Sequence, residues 1–356
     1  MNTLSKLQVL GSGIINPLGL GVEMTEANIA TGISAYEMVD VFDEPHNLLR
    51  MTTVPEVAIN QNKPVDCGDD LDDRQARMLT LAAAALDNLS CPLPDGPLAL
   101  FLAGPEIYLD RPSINKVFFD NLNSHSGDAF DPSCSRILNT GRAGAIEAIE
   151  TAFRYLESSG AQYALVGAVD SFYDYRTMLY LSEKRRLLTS QTMDGFAPGE
   201  GAAFLLLHSP GTTSNTTNNA ASDTNKKPNI AEIHRPGLMF EKGHLMSKEP
   251  YTAEALAKAM QQALSACPHP ISTIFSSQTG EMHYTKELSV ALIRCGQSLQ
   301  QNPKVISPAE YFGDLGAAYG LVATALAASN TNTAPASLVY CSSDSGQRAA
   351  LCVAKH

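Results

Sequence analysis

Apolar and polar positions divide the middle of the chain into a regular succession of elements. Ile137 and Leu138 end a short apolar run, and small residues after Thr140 lead into a segment with apolar side chains at 145, 149, 152, 153 and 156. That spacing predicts one face of a helix. Gly160 marks its stop, and residues 163–170 form an apolar stretch of strand length, predicted to be buried. Strand, tight turn, helix, glycine and strand make a βαβ unit. Farther on, a glycine-rich turn at 194–201 runs directly into a second apolar strand ending at Leu207. An echo of the same pattern recurs late in the chain. Residues 164–171, with the strand that follows Gly199, are paralleled by 336–340 with the strand that follows Gly346. The fold class predicted is α/β with a duplicated architecture.

Length and composition fit such a plan. A chain of 356 residues buries a large core. The expected division is an N-terminal half at 1–209, a polar linker or loop at 210–228, and a C-terminal half at 229–356. The linker is rich in Thr, Asn and Ser, too polar and turn-prone to pack. No run of about eighteen apolar residues is present. The opening residues lead into a strand rather than a signal-peptide core, so a cytoplasmic location and no membrane partner are expected. The seven cysteines are odd in number and lack CxxC spacing, which favours free thiols over a disulfide framework or a zinc site. Cys267 and His269 stand two apart without a second pair nearby, and are taken as surface or core residues. Net charge −12 opposes phosphate backbones, so nucleic acid is not an expected partner. The basic triplet Lys184-Arg185-Arg186 reads either as a carrier-protein or phosphopantetheine contact or as a solvated helix end, the second being favoured. No cofactor and no metal are expected.

Several segments resemble the ketosynthases of the thiolase-like superfamily. Residues 137–146 look like the turn that carries the catalytic cysteine in that family. The strand end Gly167-Ala168-Val169-Asp170 and the turn Gly195-Phe196-Ala197-Pro198-Gly199-Glu200-Gly201-Ala202 follow in the family's order. Near the start, residues 7–19 resemble the opening strand and loop. Residues 310–320 resemble the Gly-His-Xaa-Xaa-Gly-Ala-Ala-Gly segment, and 342–353 the closing glycine-rich turn and strand. The likeness runs nearly end to end. It implies a thiolase-like fold with two βαβ halves in a five-layered α-β-α-β-α arrangement.

The same resemblance marks what is missing. Gly141 stands at the cysteine position, and a glycine forms no thioester. Gln278 or a neighbour occupies the place of the first family histidine; glutamine hydrogen-bonds but shuttles no proton. Asp314 replaces the second histidine. An ionised carboxylate there destabilises an oxyanion, whereas capping the following helix suits it. Asp344 and Ser345 replace the phenylalanine-glycine pair that gates acyl entry, and a carboxylate beside an acyl tunnel is a poor host for hydrocarbon. Arg142 is no nucleophile, and Cys134 is read as a structural free thiol. His283 is expected at a helix start or on the surface. Glu281 is left either as a carboxylate in the pocket or as a solvated pair with Lys286. No catalytic residue is therefore assigned.

Three functional readings follow from that resemblance. The first is a catalytically degenerate binding protein, dimeric like its relatives, acting as adaptor or chaperone for a bacterial secretion effector of the type VI kind. The second is an accessory, chain-length-factor-like subunit that pairs with an active ketosynthase in acyl or polyketide synthesis. The third is an acyltransferase or 3-oxoacyl synthase with a different nucleophile, Cys134 being the candidate.

Overall fold

A computed structural model describes residues 4–43, 47–60, 65, 70–109, 112–210, 230–296 and 299–355. Apart from Pro210, the polar segment 210–228 lies outside the described residues. Among the described residues the main sheet has twelve strands, ten of which lie side by side along it: β1 (Lys6–Asn16), β2 (Leu100–Ala103), β3 (Arg136–Leu138), β4 (Tyr163–Ser171), β5 (Glu200–His208), β6 (Ala231–His234), β7 (Ile271–Ser276), β8 (Leu299–Ile306), β9 (Ala336–Ser342) and β10 (Gln347–Lys355). Their order is β8-β7-β9-β10-β6-β1-β5-β4-β2-β3. In the first half β3 and β4 flank β2 in parallel, and β5 runs antiparallel to β4. In the second half β8 and β9 flank β7 in parallel, and β10 runs antiparallel to β9. The strand pattern thus occurs twice, as the sequence echo predicts.

Six helices matter for the site: α1 (Asp73–Asp87), α2 (Gly144–Ser159), α3 (Tyr175–Glu183), α4 (Glu254–Ala266), α5 (Met282–Cys295) and α6 (Tyr319–Ala328). The apolar positions predicted at 145–156 form the buried face of α2, and Gly160 closes it in the left-handed region at φ 72°. Alternation along the strands then sorts side chains into separate cores. Val166 and Leu205 pack with Ile149 and Phe153 of α2, Leu321 of α6, and Val339 and Leu351 of the second half. Leu165 and Phe204, on the opposite face, pack with Met78, Leu81, Ala82 and Ala85 of α1. Leu338 and Ala350 pack outward against Leu256 and Met260 of α4 and Leu288 of α5. Three cores between helix, sheet, central helices, sheet and helix give the five layers. Lying between the two halves of the sheet, α6 is buried on nearly every side.

Each central helix opens with a short 3₁₀ turn, Gly141–Ala143 before α2 and Gly316–Ala318 before α6. The first glycine of each takes a positive φ, 67° and 51°. The turns are anchored crosswise. Ala143 N–H donates to Ser343 Oγ, just beyond β9 of the other half, at 2.9 Å. Ala317 N–H donates to Asp170 Oδ2, at the end of β4, also at 2.9 Å. The duplicated halves therefore meet at the sequence positions singled out for chemistry.

Candidate functional site

Gly141, Arg142, Asp314 and Asp344 come together where the central turns and the ends of β2, β4 and β9 converge. Arg142 sits in the first 3₁₀ turn and is 2% exposed, as is Asp314. Its Nε donates to Asp314 at 2.9 and 3.1 Å, its Nη2 donates to the same carboxylate, and its Nη1 donates to Asp344 Oδ1 at 2.7 Å. Arg186 approaches Asp344 from the segment after α3, and also grips Glu281 with Nε and Nη2, each at 2.8 Å. Tyr108 donates to Asp344 Oδ2 at 2.7 Å, and Tyr284 donates to Oδ1. The guanidinium carbons of Arg142 and Arg186 lie 5.4 and 5.2 Å from the centre of the Phe196 ring, a cation–π arrangement. Phe196 belongs to the glycine-rich turn read from the sequence. The turn reaches this point because Asp314 N–H donates to Ala197 O, and Gly199 N–H donates to Asp314 O.

The space into which a side chain at residue 141 would project is filled by Glu106. A Cβ built on Gly141 would lie 2.7 Å from Glu106 Oε2 and 2.8 Å from Glu106 Cβ. The Glu106 carboxylate in turn accepts the backbone N–H groups of Asp344, at 2.9 Å, and of Ser345. Ser343 occupies the other side of the turn, its Oγ accepting Ala143 N–H and donating to Thr140 O. The backbone amide of Ala143 is thereby already engaged. Thr140 points away, donating to Glu147 at 2.6 Å.

Charge in this cluster is unevenly held. Against the upward push of burial, Arg186 and Arg142 hold the Asp344 carboxyl well below the usual carboxylate range. Burial, reinforced by the charge of Asp344, pushes Glu106 up to about 7. Asp170, beside the second turn, is pushed by burial up to about 6 against the pull of Arg74. A carboxyl raised in the fold favours folding while protonated and loses that advantage as pH rises through its folded pKa. Stability is therefore expected to fall between about pH 4, where these carboxyls ionise in the unfolded chain, and about pH 7, where Glu106 ionises in the fold. Glu106→Gln is expected to flatten that slope in denaturant titrations across the same range, whatever its offset at a single pH. An unchanged slope would contradict the placement of this proton, and Asp170 supplies the slope that remains.

The other positions named from the sequence are distributed as follows. Asp314 does cap the second turn, accepting Gly316 N–H at 2.9 Å, and it adds an ion pair that spacing alone does not reveal. Gln278 lies apart from the cluster, its amide donating to Thr285 Oγ1; its neighbours Ser276 and Ser277 are the buried ones, joined to Tyr340 and to Ser342 N–H. Glu281 does not form a solvated pair with Lys286: it is buried against Arg186. The solvated-helix-end reading of the basic triplet likewise fails for Arg186, which is buried because two carboxylates compensate its charge. His283 starts α5, half-buried against Tyr251 with ring centres 4.5 Å apart, and burial lowers its pKa. Cys134 leans on Asp131 O at 3.6 Å, and burial raises its thiol, the reverse of an activated nucleophile. Asp344 is enclosed by hydrogen-bond partners rather than placed beside an open channel.

No motif singles out Glu106, Tyr108, Tyr284 or Ser343. The available signal is Glu106, a charged residue directly after Leu100–Ala103, Gly104 and Pro105. Glu106 and Tyr108 also line a cavity of about 650 Å³ with Arg74, Gln75, Asp174 and Arg176, a polar lining unsuited to hydrocarbon. Among the described residues no group of three or more His, Cys, Asp or Glu is placed to hold a metal ion. No helix among them is long and apolar enough to cross a membrane.

Known proteins carry the same architecture. Residues 134–210 match the family model of the beta-ketoacyl synthase N-terminal domain. A solved structure of the ishigamide ketosynthase/chain length factor matches with a TM-score of 0.74 at 18% identity, covering 99% of this chain and 100% of that one. The chain has the thiolase-like fold of the ketosynthases. The ketosynthase from module 6 of the bacillaene synthase of Bacillus subtilis 168 matches this ketosynthase-like chain with a TM-score of 0.73 at 14% identity, covering 99% and 72% of the two chains. A type II polyketide-synthase acyl-carrier protein in complex with its ketosynthase bound to the hexaketide gives 0.69 at 16% identity, covering 99% of each. No curated protein matches the sequence.

Proposed function

We propose that this ketosynthase-like chain performs no condensation and acts by binding, as an accessory subunit of the chain-length-factor kind that pairs with a cysteine-bearing ketosynthase. The observation that carries the reading is Glu106 packed against Gly141 and tied to the backbone of Asp344 and Ser345. Condensation needs a thiolate, an oxyanion site and a proton shuttle. In their place stand two arginines neutralised by three carboxylates, with the hydrogen-bond capacity of the turn directed inward. The ishigamide ketosynthase/chain length factor supports a heteromeric role, since it matches over the whole of both chains. The carrier-protein complex among the matches supports a protein partner in general.

A surface suited to such a partner is the sheet edge at β3. This strand pairs only with β2 among the described residues, so its outer edge is free to extend the sheet. It also leads directly into the Gly141 turn. The same edge serves a homodimer, the state expected from the sequence, and the reading keeps the cytoplasmic location expected there. No observation favours the secretion-effector adaptor over the ketosynthase partner. Affinity purification of the chain from its native host, with quantification of co-purifying proteins, tests this. A cysteine-bearing ketosynthase in equal amount is expected. An isolated homodimer, or a secretion effector as the stoichiometric partner, would overturn the accessory-subunit reading.

A further inference from the structure

Among the described residues seven buried side-chain nitrogen and oxygen atoms have no hydrogen-bond partner, and three of them belong to one corner of the second half: Tyr251 Oη, His283 Nε2 and Arg348 Nη2. Buried polar groups are otherwise almost always paired. Arg348, in β10, is 1% exposed, and Glu287, in α5, is fully buried. Arg348 Nε donates to Glu287 Oε1 at 2.6 Å, while Nη1 donates to Ser343 O at 2.6 Å and to Gln347 O at 3.0 Å. The second oxygen of Glu287 accepts Ser342 Oγ instead, also at 2.6 Å. In a planar guanidinium Nε–H and one N–H of Nη2 point the same way, so Nη2 faces α5 beside Glu287. His283 lies one helical turn before Glu287 on the same face. Its ring packs on Tyr251, with centres 4.5 Å apart. The three atoms therefore face one buried point between α5, β10 and the segment that enters α4.

We propose that this point is a binding site for a single water molecule, bridging Arg348 Nη2, Tyr251 Oη and His283 Nε2. Charge selects the ligand. Glu287 meets the Arg348 charge at 2.6 Å, so an anion would crowd a carboxylate and a metal ion would meet a guanidinium. A neutral molecule that both donates and accepts suits the site. Burial lowers the His283 pKa, which leaves the imidazole neutral at neutral pH with one bare ring nitrogen. Burial, with the charge of Glu287 and against that of Arg348, raises the Tyr251 hydroxyl, which keeps its proton to donate. Water then accepts from Nη2 and from Oη and donates to Nε2. Three hydrogen bonds are the usual complement of a buried water.

The bridge fastens the first turn of α5 to β10 and to the chain entering α4. It also fixes the imidazole, whose proton then sits on Nδ1 because Nε2 accepts. His283 lines a cavity of about 500 Å³ with Arg186, Glu281 and Met246. The water thus holds one wall of that cavity in place from behind. The inference rests on hydrogen-bond capacity alone, so it is independent of the accessory-subunit reading.

A crystal structure of the full chain at a resolution that shows ordered solvent tests the site directly. One density peak is expected within about 2.7–3.2 Å of all three atoms, with no anomalous signal there after a bromide soak. The sign of a stability change supplies a second readout. Deleting a hydroxyl that has no partner relieves a buried orphan, whereas deleting one that a water pairs breaks a hydrogen bond. Tyr251→Phe, which removes only that oxygen, is therefore expected to lower the thermal midpoint by about 2 °C. A midpoint unchanged or raised in Tyr251→Phe would overturn the proposal. So would a bromide peak at the point, direct pairing of the three atoms with other protein groups, or no density between them.

Discussion

Replacing Arg142 by methionine is expected to lower folding stability by about 3–5 kcal/mol, the usual cost of removing one partner from a buried ionic network. The guanidinium bridges Asp314 and Asp344, and all three side chains are almost fully buried. Without it Asp344 keeps Arg186, Tyr108 and Tyr284. Asp314 keeps the Gly316 N–H but loses its arginine. Arg142→Lys is expected to recover only part of the loss, because an ammonium on a single stem cannot span two carboxylates in the way a planar fork does. Pairing Arg142→Met with Asp314→Asn is expected to restore more, since the stranded charge goes with it. Equilibrium denaturation of the three variants checks the series. A loss below about 1 kcal/mol for Arg142→Met would show that the network does not hold the two halves together.

Introducing a cysteine with Gly141→Cys is expected to destabilise the protein by about 2–4 kcal/mol and to yield no acyl transfer. Two physical terms add. The backbone at 141 holds φ 67°, where a side chain costs about 1–2 kcal/mol, and the new Cβ meets Glu106 inside contact distance. Glu106→Gly in the same background is expected to relieve the steric term, because the contact to Glu106 Cβ goes with the one to its carboxylate, and to leave the conformational one. Neither variant gains a base or an oxyanion site, because Asp314 and Asp344 remain committed to arginines. Thermal unfolding with intact-mass analysis after incubation with an acyl thioester checks both parts. A Gly141→Cys protein of wild-type stability that takes up the acyl group would contradict this account of the site.

The fold was legible because local and long-range signals agree. The period of α2, the stop at Gly160 and the apolar run of β4 each pointed to one unit, and the echo at 336–350 announced the second. At the site, the resemblance drew attention to positions 141 and 314 but not to the residues that surround them. Arg142 reads as a polar residue in a turn until Asp314, 172 positions later, is brought against it. Arg186 reads as one member of a solvated basic triplet because its partners, Glu281 and Asp344, are 95 and 158 positions away. Burial of a charge depends on long-range compensation, to which periodicity is blind. Gln278 shows the opposite failure, a motif position whose side chain the strand end turns toward Thr285.

The central claim is that the chain binds rather than condenses, and acyl loading tests it most directly. The purified chain, alone and then together with the ketosynthase expected to co-purify with it, is incubated with an acyl-carrier thioester, and the intact masses of both chains are measured. The account predicts an acyl increment on the ketosynthase and an unmodified mass for this chain in both mixtures. An acyl increment on this chain, mapped to Cys134 or to any other residue, would contradict it.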